Sequence, residues 1–254
     1  MAVGRRDPGA GRALDAVPRL PVAARAVARR GASTGAAAQA GRPAALPALK
    51  LLRWPALVTL GVTLLRFAGE RLGWSEDWFS RLPGGGLSPV GIVWLVPLVG
   101  LYCGWVLQRR GLRPPALGLA LGVPLGVLVV TPALPWLVNR LHETTWTLHL
   151  AAWGLASLFA ALLAATAWPP LGRLLVVYAL LARLPVALLM ALAMYRRWGT
   201  HYDAAPPGFP PMSVLGRWLW TGLLPQATIW VAFTVAVGAV FGVLGWLAAS
   251  RLSR

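Results

Sequence analysis

Residues 174–194 read LLVVYALLARLPVALLMALAM, a run in which Arg183 is the only charged side chain. A helix of about 20 mainly apolar residues is long enough to span the hydrocarbon core of a bilayer. Similar runs recur along the chain, at about 51–69, 89–107, 115–138 and 148–168. The sequence therefore predicts a membrane-spanning helix at each of these five places.

A last apolar run, 214–249, is too long for one simple span and contains Pro225-Gln226. Because proline removes a backbone hydrogen bond and interrupts a helix, we predict an interfacial helix to about 224, followed by a spanning helix to about 248. The predicted fold class is all-α: a polytopic integral membrane bundle of about six transmembrane helices, occupying residues 51–250.

Composition agrees with a membrane protein. The chain is 57% hydrophobic and 12% charged, whereas soluble domains carry about 25% charged residues. The net charge of +17 does not indicate a nucleic-acid-binding protein, because the basic residues lie in tails and loops instead of along one helix face. The lipid bilayer is the expected partner, and nucleic acid is not.

Residues 1–50 are rich in alanine, arginine and proline and contain no aromatic residue. Such a segment buries too little apolar surface to order itself, so we expect a disordered basic tail. Two alternatives are a processed targeting segment and a true start nearer residue 50. With this tail counted, the excess of arginine in loops places both termini in the cytoplasm of a bacterium, with the chain in its plasma (inner) membrane. Without it the loop charges give no orientation.

Small residues recur at four-residue spacing in three of the runs, and they predict close helix packing. The rows are Gly118, Gly122 and Gly126, then Gly100 and Gly104, then Thr234, Gly238 and Gly242. We expect these rows to pack within the chain. The alternative is a seam with a second copy or with another membrane protein.

The carboxylates and imidazoles outside the tail share one side of the membrane. With six spans, all of them fall in the first, third and fifth loops or at the adjoining helix ends, a surface that we call the acidic face. They are Glu70, Glu76, Asp77, Glu143 and Asp203, with His142, His149 and His201. A polar active or binding site would therefore open on the acidic face.

Two segments of the acidic face combine histidine with an acid, the pairing needed for acid/base chemistry or for a metal site. The catalytic candidates are His142, Glu143, His201 and Asp203. In a straight helix, His142 and His149 would lie about 10 Å apart along the axis, too far to hold one metal. The sequence leaves the identity of any metal or cofactor unknown.

Arg183 is the ligand-binding candidate with the clearest physical reason. An arginine at the centre of a span costs roughly 2.5–3.5 kcal/mol, so it usually faces the bundle interior and has a partner. No acidic residue lies at matching depth in any run. Its partners are predicted to be the Leu181 carbonyl, which Pro185 leaves free, and the hydroxyls of Tyr178 and Tyr102. The functional alternative is a lipid phosphate or a substrate carboxylate.

Arg140 and Glu70 are further candidates for ligand binding on the acidic face. Arg66 and Glu70 are four residues apart, a spacing that allows an ion pair on one side of a helix.

Three functions fit these patterns. The first is a non-enzymatic accessory, assembly or permeation protein, which the scarcity of polar groups in the spans favours. The second is a membrane-embedded enzyme that acts on a lipid or lipid-linked substrate through the histidines and acids of the acidic face. The third is an anion or lipid carrier centred on Arg183.

Overall fold

The computed structural model describes residues 47–83, 88–141 and 145–252. Its helices are α1 (Ala48–Arg71), α2 (Leu95–Arg109, preceded by a 3₁₀ turn Ile92–Trp94), α3 (Leu117–Leu141), α4 (Trp146–Ala167), α5 (Pro169–Arg196), α6 (Val214–Arg217), α7 (Leu224–Ala227) and α8 (Ile229–Leu252). The described residues contain no strand. Residues 1–46 of the predicted tail lie outside the described residues, whereas residues 48–50 already belong to α1.

Six helical segments are long and apolar enough to cross a membrane. They coincide with the six predicted runs, so the all-α polytopic membrane bundle is confirmed. The last segment, Val214–Leu252, contains a π-helical stretch at Trp218–Leu223 and an irregular residue, Thr228, with φ −120° and ψ −71°. The helix is therefore irregular both before and after Pro225, the residue at which the sequence predicted an interruption.

Helix α8 lies at the centre of the bundle and contacts α2, α3, α4 and α5. Its sequence is apolar on every side, which is typical of a helix that other helices surround. Helix α1 packs mainly against α5. This arrangement brings the ends of α1 and α5 together on the acidic face.

The glycines of α2 and α8 pack as predicted. A Cβ atom added at Gly104 would overlap the carbonyl oxygen of Gly242, and one added at Gly100 would lie 2.5 Å from the carbonyl oxygen of Gly238. The two backbones therefore approach so closely that no side chain fits between them.

The prediction for the glycine row of α3 was wrong. A Cβ atom at Gly118, Gly122 or Gly126 would meet no atom of the described residues within 4 Å. All three glycines are exposed, because this side of α3 points away from the bundle.

Candidate functional site

A buried carboxylate near the end of α1 joins two elements of the acidic face. Glu70 is only 1% exposed. Its Oε1 accepts hydrogen bonds from Arg66 Nε at 2.9 Å and from His201 Nδ1 at 2.5 Å, and its Oε2 accepts from the backbone N–H of His201 at 2.9 Å. The i,i+4 pair predicted from sequence is therefore present, and a histidine 131 residues further along the chain completes it.

The loop after α1 folds back over this corner. Arg81 donates from Nε to the backbone carbonyl of Glu70 at 3.0 Å, and Arg66 donates to the carbonyl of Ser80 at 3.4 Å. The helix end and the loop are thus tied together around Glu70. The Glu70 carboxylate is fixed in place before any ligand arrives.

A tight turn presents His201 to Glu70. The carboxylate of Asp203 accepts from the backbone N–H of Gly199 at 2.8 Å and from the N–H and hydroxyl of Thr200 at 2.7 and 2.8 Å. Tyr202 is buried and donates its hydroxyl proton to the Thr63 carbonyl at 3.2 Å. An extended backbone over 201–203 would point the side chains of His201 and Asp203 the same way. The segment is instead a turn, because these bonds close it.

We expect Asp203→Ala to destabilise the protein by about 1–3 kcal/mol, because it leaves the N–H groups of the turn without their charged acceptor. Protein yield and the midpoint of thermal unfolding in mild detergent measure this effect. Asp77→Ala, which removes an exposed acid of the first loop, is the matched control. Unchanged stability with lost function would instead favour the predicted catalytic role of Asp203.

Burial favours the neutral form of the His201 imidazole. Burial lowers the pKa of its ring below the usual value and nearby Arg66 lowers it further, while the hydrogen bond from Nδ1 to Glu70 and the charges of Glu70 and Asp203 act in the opposite direction. Because Nδ1 donates to the carboxylate, the remaining ring nitrogen, Nε2, carries the lone pair. This nitrogen can accept a proton or a hydrogen bond.

A cavity of about 230 Å³ extends from this network into the bundle. Arg66, His201 and Tyr202 line it beside the acidic face, and Arg183 of α5, Gln226 of α7 and Trp230 of α8 line it further into the bundle. Arg183 lies thirteen residues before the end of α5, which is roughly 20 Å along a helix axis. The cavity thus connects the surface network with the middle of the membrane-spanning region.

Arg183 has few partners for a buried cation. It is 5% exposed, donates from Nη2 to Thr234 Oγ1 at 3.4 Å, and has its guanidinium carbon 4.8 Å from the centre of the Trp230 ring. Its Nε has no hydrogen-bond partner within the described part of the chain, where no carboxylate forms an ion pair with it either.

The acceptors predicted for Arg183 were wrong. The Tyr178 hydroxyl bonds to Thr59 Oγ1 at 2.9 Å, and the Tyr102 hydroxyl bonds to the Leu51 carbonyl at 3.1 Å. No bond joins Arg183 to the Leu181 carbonyl in the described structure, because the guanidinium turns toward α8 and the cavity instead.

Gln226 is the second buried polar side chain with an unused atom in the cavity wall. It is 8% exposed, its Nε2 lies 3.8 Å from the sulfur of Met190, and its Oε1 has no partner among the described residues. Sequence reasoning treated Pro225-Gln226 only as a helix break. The available signal was an amide inside an apolar run, which is costly to bury without a ligand or partner.

Of the other predicted site residues that the structure describes, Arg140 and Asp203 do not line this cavity. His142 and Glu143 lie outside the described residues. Arg140 is exposed at the end of α3 and faces the ring of Trp136. Across the described ranges, no three His, Cys, Asp or Glu side chains lie together as metal ligands. The catalytic role of His142, Glu143 and Asp203 and the ligand role of Arg140 stay predictions.

The geometry thus assembles one charged cavity from residues that are distant in sequence, namely Arg66, Arg183, His201 and Gln226, with Glu70 bonded to Arg66 and His201 behind its wall. It joins a buried cation to a carboxylate–imidazole pair inside a six-helix membrane bundle. Family models, curated proteins and solved structures were all compared with the chain, and none of them matches it.

Proposed function

We propose that the protein binds a small organic monoanion in the Arg183 cavity and carries it across the membrane. The observation that supports this most directly is the buried, under-bonded guanidinium in the cavity wall. A guanidinium removed from water needs hydrogen bonds or an opposite charge to offset its lost hydration. One long hydrogen bond and one aromatic face, the latter worth about 2 kcal/mol when desolvated, offset only part of that loss.

The charges around the cavity favour a ligand with a single negative charge. Arg66 and Glu70 form an ion pair, and the lowered pKa of His201 favours its neutral form. Among the described residues that line the cavity, Arg183 therefore supplies the positive charge that no carboxylate balances. A carboxylate or sulfonate can accept two parallel hydrogen bonds from a guanidinium, which is the strongest arrangement available to this side chain.

The size and lining of the cavity favour a small ligand with an apolar body. Its volume of about 230 Å³ lies just below the roughly 300–1,000 Å³ of typical small-molecule sites. Val62, Val93, Leu150, Val186 and Met190 are among its lining residues. A short organic acid fits this space and lining better than a phospholipid with its two chains.

Binding can be tested with butyrate and methanesulfonate added to the purified protein in mild detergent. A ligand present at 100 times its Kd stabilises the folded state by about 2.7 kcal/mol. We expect both anions to raise the unfolding midpoint of the wild type and to have no such effect on Arg183→Leu. Chloride at equal ionic strength is the ligand control. Arg173→Leu, which removes an exposed arginine of the same helix, is the protein control.

Carriage can be tested by methanesulfonate uptake into proteoliposomes, since this anion stays ionised and crosses pure lipid slowly. We expect uptake with the wild type and with Arg173→Leu, and none with Arg183→Leu. Binding without uptake would support the anion-binding site but contradict the carrier function. An unfolding midpoint that neither anion changes would contradict the proposed function as a whole. A partner chain that stays bound to the purified protein in native mass spectrometry would then favour the accessory function.

A membrane-embedded enzyme is the second candidate, because a carboxylate bonded to Nδ1 is also the arrangement that orients a catalytic imidazole base. The described side chains that line the cavity include threonine and tyrosine hydroxyls but neither serine nor cysteine, so water or one of these hydroxyls would act as nucleophile. Turnover of a phospholipid or lipid-linked substrate by the wild type, and not by His201→Asn, would favour the enzyme over the carrier.

A further inference from the structure

His201 and Arg183 line the same cavity, although they come from a loop and from the middle of a helix. An anion held by Arg183 therefore enters a space of low polarity that also contains the imidazole of His201. Opposite charges attract more strongly in such surroundings than in water. A bound anion thus stabilises the protonated form of the imidazole, and protonation of the imidazole strengthens anion binding by the same factor.

The surroundings of His201 leave one position for this proton. Nδ1 already donates to Glu70 Oε1, so the proton adds to the lone pair of Nε2. The charged and titratable groups around the ring are Glu70 and Arg66 on α1, Arg81 behind them, Asp203 and Tyr202 on the same turn, and Arg183 across the cavity. The carboxylates of Glu70 and Asp203 favour the imidazolium, and Arg66 opposes it.

We propose that the cavity takes up one proton with each anion, at Nε2 of His201, so that the protein is a proton–anion symporter. This inference rests on the proposed carrier function and names its second substrate. The proton comes from water at the acidic face, forms an N–H bond at Nε2, and returns to water on the other side when the anion leaves. No oxidation or reduction takes place, and the charge balances because one anion and one proton move together.

The charge of the cavity gives a physical reason for this coupling. The empty cavity carries the single positive charge of Arg183, whereas an anion alone would bring its net charge to zero. When a proton accompanies the anion, the loaded cavity has the same net charge as the empty one. The membrane potential then neither drives nor opposes the movement of the pair, and a pH gradient drives it instead.

Calorimetric titration of the full chain with methanesulfonate tests the coupling, because this anion stays ionised and any proton taken up must bind to the protein. Heats measured in buffers with different ionisation enthalpies give the number of protons bound per anion. Since the pKa of His201 is lowered in the empty protein and rises when the anion binds, we expect uptake that approaches one proton in the pH window between these two pKa values. The affinity should rise by up to about tenfold per unit fall in pH within that window.

His201→Asn is the matched variant, because the asparagine amide can still donate to Glu70 but does not titrate. We expect it to bind methanesulfonate with no proton uptake and no pH dependence. Wild-type binding that needs Arg183 but takes up no proton at any pH would overturn the coupling and leave the proposed function standing. Proton uptake that persists in His201→Asn would also overturn it. No binding at any pH would instead contradict the proposed function.

A second measurement does not depend on whether His201→Asn folds. The chain has three histidines, so His142→Gln with His149→Gln leaves His201 as the only imidazole. The ¹⁵N chemical shift of its Nε2 should move to the protonated value when methanesulfonate is added within the coupling window. A shift that stays at the neutral value while the anion binds would overturn the assignment of the proton to His201.

Discussion

Glu70→Ala is expected to lower the free energy of unfolding by about 3–5 kcal/mol, the usual cost of removing one partner from a buried ion pair. The carboxylate accepts from Arg66 and from both the ring and the backbone of His201. Without it, Arg66 loses its counter-ion and the turn that carries His201 loses its attachment to α1. Equilibrium unfolding in a detergent titration measures the loss.

Glu76→Ala is the control for Glu70→Ala. It removes the same type of side chain from an exposed position in the first loop, where substitutions usually change stability by less than about 0.5 kcal/mol. Adding Arg66→Met to Glu70→Ala should recover part of the stability, because a buried cation is then no longer left without its carboxylate. Equal losses for Glu70→Ala and Glu76→Ala would show that the network contributes little to the fold.

Gly104→Val is expected to destabilise the bundle by roughly 3 kcal/mol, at the upper end of the usual range for overpacked positions. Its Cβ would overlap the carbonyl oxygen of Gly242, and Gly242 itself lies against Leu171 of α5. The clash involves a backbone atom, so no change of rotamer relieves it, and α2 must move away from α8. The midpoint of thermal unfolding and the yield of monodisperse protein measure the effect.

Gly122→Val on α3 is the matched control, since its side chain would meet no atom of the described structure within 4 Å. We expect no loss of folded protein from this change. If Gly122→Val were as damaging as Gly104→Val, the outer side of α3 would have to be covered by a second copy or by another membrane protein. That result would restore the intermolecular alternative for this glycine row.

Part of the candidate site was predictable from the sequence because it depended on local spacing. Arg66 and Glu70 are one helical turn apart, so their contact needed only the helix. Arg183 was identifiable because a charge in the middle of an apolar run is costly wherever the neighbouring helices lie. The partners that are distant in sequence were not predictable. Helix packing alone brings Thr234 and Trp230 near Arg183, and His201 near Glu70.

The sequence by itself determined that six apolar segments form helices that can cross a membrane, because backbone groups in lipid must satisfy their hydrogen bonds within each segment. It also predicts that the acids and histidines outside the tail share one face, since an even number of crossings separates the loops that carry them. Only the tertiary structure decided which glycines lie between backbones, that Asp203 closes a turn, and that His201 meets Glu70 beside the cavity of Arg183. These features depend on how each helix is rotated and paired, and small residues and carbonyl groups allow several such pairings until the whole bundle is packed.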